Sequence, residues 1–209
     1  MFFELKSPIN CCCIEDDIKV ILVGEPGTGK TSLINVAIGK MFTENSASTL
    51  ISTFVQKKFN KDNKEYIMNI WDTAGQEKFR AMTKIFIKKS KIVILVYSIN
   101  SKITFDGLKD YWLNTIKEAL GDEPIIAMVG NKSDLFMEEQ IKEEEAKEFA
   151  NQNGIKFKLV SAKEDPDGFI DFLEELLDEF LRLNNKGSLK IETININSNS
   201  KKSEKGCCK

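Results

Sequence analysis

Short apolar runs alternate with amphipathic segments between residues 18 and 183 of this chain. The runs at residues 18–23, 92–97, 125–129 and 157–160 are nearly continuous, which is typical of strands covered on both faces. Helical spacing of apolar residues occurs at residues 32–40, 105–120, 138–151 and 167–183. Strands that alternate with helices predict an α/β fold with a doubly wound, mostly parallel sheet and helices on both of its faces.

Two further strand-like runs, residues 54–59 and 64–71, are joined by the polar turn at residues 60–63. This pattern predicts a β-hairpin, and hence one antiparallel edge strand in a sheet of six strands. The stretch before the hairpin, residues 41–52, is polar and lacks a period, so we interpret it as a surface loop.

Length and composition favour one domain with two tails. The chain has 209 residues, of which 42% are apolar, enough for one ordinary core. We predict a flexible extension at residues 1–16, a domain at 17–183 and a flexible, polar tail at 184–209. The tail carries six lysines against two glutamates, so the net charge of -2 conceals an acidic body that disfavours nucleic acid as a partner. An apolar run of membrane-spanning length and a secretory leader are both absent from the sequence, which favours the cytosol.

The cysteines form two clusters, Cys11 to Cys13 and Cys207 to Cys208, and the chain has no histidine. A disulfide framework or a zinc site is therefore disfavoured, and histidine-dependent triads are excluded. The first cluster is either an incidental feature of the extension or a site of S-acylation. Phe2 stands where N-myristoylation requires glycine.

The segment that follows the first strand has the form G-x-x-x-x-G-K-[ST] and predicts a phosphate-binding loop. Its glycines permit a tight turn whose N–H groups converge on an anion, with Lys30 reaching the β and γ phosphates. The Thr31 hydroxyl is a candidate ligand of the Mg²⁺ that accompanies a nucleoside triphosphate. The predicted nucleotide contacts here are Gly24, Glu25, Pro26, Gly27, Thr28, Gly29, Lys30, Thr31 and Ser32.

The residues that follow two other predicted strands indicate which nucleotide the protein binds. Asp72 opens the sequence D-T-A-G-Q and is a second candidate for Mg²⁺, while Gly75 allows the backbone to approach the γ phosphate. Asp134 closes the sequence N-K-S-D, and a carboxylate there accepts hydrogen bonds from N1 and N2 of guanine. Adenine has no such donor pair, so guanine is the predicted base.

The motifs GEPGTGKT, WDTAGQE, NKSD and SAK occur in the order seen in small GTPases of the Ras superfamily, and the chain resembles the Rab family in particular. The resemblance covers residues 18–183 and implies the P-loop small GTPase fold with GTP, GDP and Mg²⁺ as ligands. It implies that Thr49, nineteen residues after Lys30, binds Mg²⁺ and senses the γ phosphate. It also implies that the base contacts Phe42, Asn131, Lys132, Asp134 and the segment Ser161, Ala162 and Lys163.

The same resemblance implies a slow GTP hydrolase that acts as a switch in vesicle-mediated traffic. Gln76 would orient the attacking water, with Lys30 and Thr49 as the other catalytic residues. Loops at residues 42–53 and 72–87 would change arrangement after hydrolysis and bind effectors, an exchange factor and a GTPase-activating protein. The implied protein is monomeric.

The carboxyl-terminal residues favour Rab within the superfamily. Gly206 stands where a CaaX box needs cysteine, whereas Cys207 and Cys208 resemble tails that receive two geranylgeranyl groups. The alternative is an unmodified cysteine pair. The resemblance implies prenylation machinery and a GDP-dissociation inhibitor as partners, and cycling between cytosol and the cytosolic face of intracellular membranes.

Several residues depart from the Rab pattern. Residues 50–53 replace the usual I-G-V-D, Ser46 replaces a frequent tyrosine, and residues 85–91 replace an aromatic stretch, so a divergent Rab and a Rab-like lineage both stay open. Pro26 removes one N–H from the phosphate loop and either alters stimulated hydrolysis or is tolerated without effect. A P-loop kinase and a nucleotide-locked binding module are the competing classes; N-K-S-D argues against the first, and Gln76 with Thr49 against the second.

Overall fold

A computed structural model describes residues 17–43, 53–73, 85–121 and 124–198, with side chains described up to residue 184. The strands in these ranges are β1 (Ile18–Val23), β2 (Thr53–Lys61), β3 (Lys64–Asp72), β4 (Ile92–Ser98), β5 (Ile125–Asn131) and β6 (Lys156–Leu159). The α-helices are α1 (Lys30–Ala37), α2 (Lys102–Gly107), α3 (Leu113–Leu120), α4 (Glu143–Gln152) and α5 (Pro166–Ser198). A π-helical turn, Leu108–Trp112, joins α2 to α3, and a 3₁₀ segment, Ser133–Glu138, follows β5.

The strands of the described residues form one sheet in the order β2-β3-β1-β4-β5-β6. β2 pairs antiparallel with β3 at the edge, and the other neighbours are parallel. The predicted six-stranded, mostly parallel sheet with one antiparallel edge strand is thus confirmed. Because parallel strands end at the same edge, the segments after β1, β3 and β5 emerge at one edge of the sheet, where ligands of doubly wound sheets bind.

Both faces of the sheet are covered, as the continuous apolar runs predict. In β1, Val20 and Leu22 contact the layer formed by α1 and α5, whereas Ile21 and Val23 contact the layer formed by α2, α3 and α4. This alternation follows the two-residue period of a strand. All residues of β4 are buried, so the sheet is a rigid support for the loops at its carboxyl edge.

The hairpin turn lies at Asp62 and Asn63, whose φ angles are 50° and 59°. Two successive residues with positive φ are typical of a type I′ turn, whose twist matches that of the flanking strands. Asn and Asp tolerate this conformation better than other non-glycine residues. The predicted hairpin is present, with strands that are longer than the apolar pattern indicates.

Several predicted helix boundaries differ from the structure; the helix predicted at 32–40, for example, is α1, Lys30–Ala37. The helical region predicted at 105–120 begins at Lys102 and contains the π turn. The helix predicted at 138–151 begins only at Glu143, because the N–H groups of Gln140 and Ile141 donate to the Ile99 carbonyl and hold the preceding chain outside the helix. Three glutamates then occupy the first turn of α4, where negative charge is favourable.

The last helix is longer than predicted. Apolar spacing ends near Leu183, but the α5 backbone stays helical to Ser198, so the helix passes the point at which we place the start of the tail. The domain boundaries themselves stay predictions, and residues 1–16 and 199–209 lie outside the described residues. None of the helices described is both long and apolar enough to cross a membrane.

Candidate functional site

The phosphate loop, residues 24–31, connects β1 to α1 and needs glycine at two positions. Gly24 has φ 149° and Gly29 has φ 86°, conformations that residues with a side chain rarely adopt. A Cβ at Gly24 would overlap the Val96 carbonyl oxygen, and one at Gly29 would overlap the Asn131 side-chain amide. The loop therefore packs directly against β4 and the end of β5.

Lys30 begins α1 and places its ammonium group inside the phosphate loop. Its Nζ donates to the carbonyl oxygens of Gly24 at 2.9 Å and Glu25 at 2.8 Å, and the residue is only 5% exposed. Burial lowers the pKa of Lys30 to about 8, while the negative charges of Asp72 and Glu25 act in the opposite direction. A buried cation enclosed by the loop provides a strong attraction for an anion.

Thr31 and Asp72 meet beside this cation. The Thr31 hydroxyl donates to Asp72 Oδ2 at 2.8 Å, although the residues belong to α1 and the end of β3. Asp72 is 5% exposed. The next residue, Thr73, donates its hydroxyl to the Leu22 carbonyl at 2.6 Å and so anchors the chain after β3 to β1. Thr73 has no predicted role, and its only signal in the sequence is its place within D-T-A-G-Q.

Asn131 connects the phosphate loop to the segments that are predicted to contact the base. Its Nδ2 donates to the Thr28 carbonyl at 2.8 Å, and its Oδ1 accepts from the Ala162 N–H at 3.2 Å. The side chain is 1% exposed. Three segments distant in sequence are thus held together by one amide, so Asn131 acts on the site through these two loops.

The Asp134 carboxylate is oriented by Ser161, whose hydroxyl donates to Asp134 Oδ1 at 2.6 Å. The same hydroxyl accepts from the N–H groups of Lys163 and Glu164. Lys132 has φ 65° in the left-handed region, where a non-glycine residue is strained. Such strain is common at functional sites, and here it occurs in the turn that presents Asp134.

Other predicted residues are placed around this centre. Ser32 lies in the first turn of α1, Pro26 and Gly27 are exposed in the loop, and Phe42 is half-buried against the core formed with α1 and α5. The predicted residues Thr49, Gly75, Gln76, Cys207 and Cys208 lie outside the described residues, as do Ser46 and Cys11 to Cys13. The predicted switch loops are described only at residues 42–43, 53, 72–73 and 85–87.

The donor set fits a magnesium nucleotide. Oxygen ligands from Thr31 and Asp72, in contact with each other and close to Lys30, are the groups that Mg²⁺ uses when phosphates supply further ligands. Within the described ranges no group of three acidic or cysteine side chains gathers to hold a metal by itself. Thr31 and Asp72 would hold the metal together with phosphate oxygens.

Comparisons with known proteins agree with this geometry. The model of the Ras family matches residues 19–181. The Ras-related protein Rab-11C of Dictyostelium discoideum is 39% identical over 144 residues, which are 69% of this chain and 64% of that protein, so the match spans less than two thirds of Rab-11C. The Ras-related protein Rab-21 of Homo sapiens is 36% identical over 163 residues, 77% of this chain and 72% of that protein. With these matches over the segments that form the site, the chain belongs to the Ras family and is a Rab-like small GTPase.

Proposed function

We propose that this protein binds GTP and GDP with Mg²⁺, hydrolyses GTP and acts as a switch in vesicle-mediated traffic. The observation that carries the proposal is the pair of hydrogen bonds made by Asn131. They join the phosphate loop to the segments that carry Asp134 and Ala162, at one edge of the sheet. A single ligand with both a triphosphate and a guanine base suits this combination.

Each described residue has a defined part in the proposed reaction. Lys30 neutralises phosphate charge, and its low exposure keeps water from screening the interaction. Thr31 and Asp72 would hold Mg²⁺, which neutralises charge on the phosphate oxygens. Asp134 would accept the guanine N–H groups, and the Ser161 hydroxyl keeps its carboxylate in place.

The hydrolytic step also needs residues outside the described ranges. We propose that Gln76 orients a water for in-line attack on the γ phosphate, with Thr49 as a further Mg²⁺ ligand and no covalent protein intermediate. The intrinsic rate would be slow, and an activating protein would supply an arginine worth roughly 10³ to 10⁵ in rate. Exchange factors and effectors would bind the switch loops.

Binding specificity is the direct test of the nucleotide proposal. Purified full-length protein is titrated with GTP, GDP and ATP in the presence of Mg²⁺. GTP and GDP should bind tightly, and ATP should bind roughly 10⁴-fold more weakly because adenine leaves the Asp134 carboxylate without its donors. Asp134→Ala should lose most of this discrimination. Comparable affinities of the unaltered protein for GTP and ATP would overturn the proposal.

Hydrolysis is tested separately, because binding and turnover use different residues. Single-turnover hydrolysis is followed for the unaltered protein, Gln76→Leu and Pro26→Ser, with and without an activating protein. Gln76→Leu should lose most of the activity. Pro26→Ser restores an N–H to the phosphate loop and should change the stimulated rate; identical rates would mean that Pro26 is tolerated without kinetic effect.

We also propose that Cys207 and Cys208 carry two geranylgeranyl groups that place the protein on the cytosolic face of intracellular membranes. Two lipids give stable attachment, whereas one gives only marginal binding. Prenylation machinery and a GDP-dissociation inhibitor would act on this tail. Fractionation of cells that express the protein with both cysteines changed to serine should show it in the cytosolic fraction; unchanged membrane association would point to Cys11 to Cys13 instead.

A further inference from the structure

Trp112 makes a hydrogen bond to the phosphate loop that nucleotide chemistry does not account for. Its indole Nε1 donates to Glu25 Oε1 at 3.0 Å, across 87 positions of sequence. The Trp112 side chain is fully buried and belongs to the last residue of the π-helical turn. π turns are rare and occur frequently at functional sites.

Gly107 gives the Glu25 side chain its space. A Cβ at Gly107 would lie 2.8 Å from Glu25 Cγ and 3.0 Å from Oε1. The φ and ψ angles of Gly107 are -58° and -31°, an ordinary helical conformation that any residue adopts. Close approach of Glu25, and not backbone conformation, is therefore what glycine provides at the end of α2.

Glu25 is part of the cradle through its backbone. Its carbonyl oxygen accepts from Lys30 Nζ at 2.8 Å and from the Thr28 hydroxyl at 3.0 Å. The next residue is Pro26, which has no N–H and is exposed. The Glu25 side chain thus ties a loop segment that holds the Lys30 ammonium to the π-helical turn between α2 and α3.

We propose that Trp112 is a positioning residue for the phosphate loop, acting through the Glu25 carboxylate. The inference rests on the proposed nucleotide function for its consequence, but the contact itself does not depend on a nucleotide. Trp112 holds Glu25 against Gly107, which keeps the Glu25 carbonyl and the Lys30 ammonium in the arrangement that receives phosphates. Loss of the tether should let the bound nucleotide leave faster.

A plainer interpretation is that a buried indole N–H simply requires an acceptor, with no effect on the loop. The two interpretations predict different kinetics. If the hydrogen bond only stabilises the fold, any core substitution that causes the same loss of stability has the same effect on the rate of nucleotide dissociation. If it positions the loop, Trp112→Phe has a larger effect than a matched substitution that does not contact the loop.

The experiment measures the dissociation rate of fluorescent GDP in excess Mg²⁺ for Trp112→Phe, Glu25→Ala, their double variant and Ile116→Val. Ile116 is fully buried on α3 and serves as the core control; urea unfolding measures the loss of stability of both variants, and their dissociation rates are compared in relation to that loss. GDP should dissociate about tenfold faster from Trp112→Phe than from the unaltered protein, which is the change expected for loss of one hydrogen bond to a charged group. The GDP dissociation rate of Ile116→Val should stay within twofold of that of the unaltered protein.

The double variant tests whether both residues act through one contact. GDP should dissociate from the double variant no faster than from Glu25→Ala, because Glu25→Ala alone already removes the hydrogen bond between Trp112 and Glu25. Glu25→Gln keeps an acceptor for the indole and removes the charge, so adding Trp112→Phe to Glu25→Gln should still accelerate dissociation. Multiplied effects of Trp112→Phe and Glu25→Ala, or equal rates for Trp112→Phe and Ile116→Val, would overturn the inference.

A second measurement reports on the contact without relying on nucleotide kinetics. The chain has two tryptophans, so its spectrum of ¹⁵N-labelled indoles contains two signals, and Trp71→Phe assigns them. The Trp112 indole N–H should exchange with solvent faster in Glu25→Ala than in the unaltered protein. Equal exchange would refute the tether, whereas failure of the unaltered protein to bind GDP would refute the proposed function alone.

Discussion

Asn131→Ala is the substitution that most directly tests how the site is assembled. It removes the donor to the Thr28 carbonyl and the acceptor for the Ala162 N–H. Thr28 is 0% exposed and Ala162 is 4% exposed, so water does not readily replace either partner. The variant therefore leaves two buried backbone groups without their hydrogen bonds.

The expected loss of stability follows from these two groups. An unsatisfied buried donor or acceptor costs about 1–3 kcal/mol. Because the small side chain of alanine leaves room for some relaxation, we expect Asn131→Ala to lower the free energy of unfolding by about 2–4 kcal/mol. GTP should also bind more weakly, since the phosphate loop and the Ala162 segment are no longer held together.

Urea unfolding of the nucleotide-free protein measures the first effect without a contribution from ligand binding. Asn69→Ala is the matched control, because Asn69 makes its hydrogen bond to Gln56 at 3.0 Å on an exposed part of the β2–β3 hairpin. It should cost less than about 1 kcal/mol. Equal losses for Asn131→Ala and Asn69→Ala would refute the idea that the Asn131 amide holds the site together.

Three further predictions concern the phosphate end of the site. Lys30 has a pKa of about 8 in the folded chain, below its value in the unfolded chain, so the stability of the protein relative to Lys30→Met should rise between about pH 8 and pH 10.5. Because phosphate charge raises this pKa, calorimetry at pH 8.5 in two buffers should detect proton uptake when GTP binds. Binding heats that do not depend on the buffer would contradict this. Asp72→Asn keeps an acceptor for Thr31 but loses the charge, so the Mg²⁺ concentration needed to retain bound GDP should rise at least tenfold; an unchanged Mg²⁺ titration would exclude Asp72 as a ligand. Gly29→Ala puts a side chain at a positive φ angle and in overlap with Asn131, so it should lower the free energy of unfolding by about 1–3 kcal/mol. Gly39→Ala has a positive φ angle but open space around the new Cβ, so it should lower the free energy of unfolding by less.

The sequence predicted the fold class because its apolar runs alternate with amphipathic helices, and periodicity reports burial directly. It predicted the hairpin from two runs and a polar turn. The π turn and the late start of α4 were missed. Local periodicity does not reveal the late start of α4, because the N–H groups of Gln140 and Ile141 donate to the carbonyl of Ile99, a residue far away in sequence.

The candidate site residues were predicted from the sequence, some from the chemistry of each motif and others, such as Thr49 and Phe42, from the resemblance to small GTPases. Glycines permit a phosphate cradle, a lysine supplies charge, and an aspartate after N-K-S is the predicted acceptor for the guanine N–H groups. Only the tertiary structure decided which of these residues contact one another. The parallel register of β1, β4 and β5 brings Thr28 to Asn131 across 103 positions of sequence, and helix packing brings Trp112 to Glu25 across 87. Contacts between distant segments depend on strand order and helix packing, which residue spacing does not encode. The tertiary structure also buries the Lys30 ammonium group, and this burial lowers the pKa of Lys30.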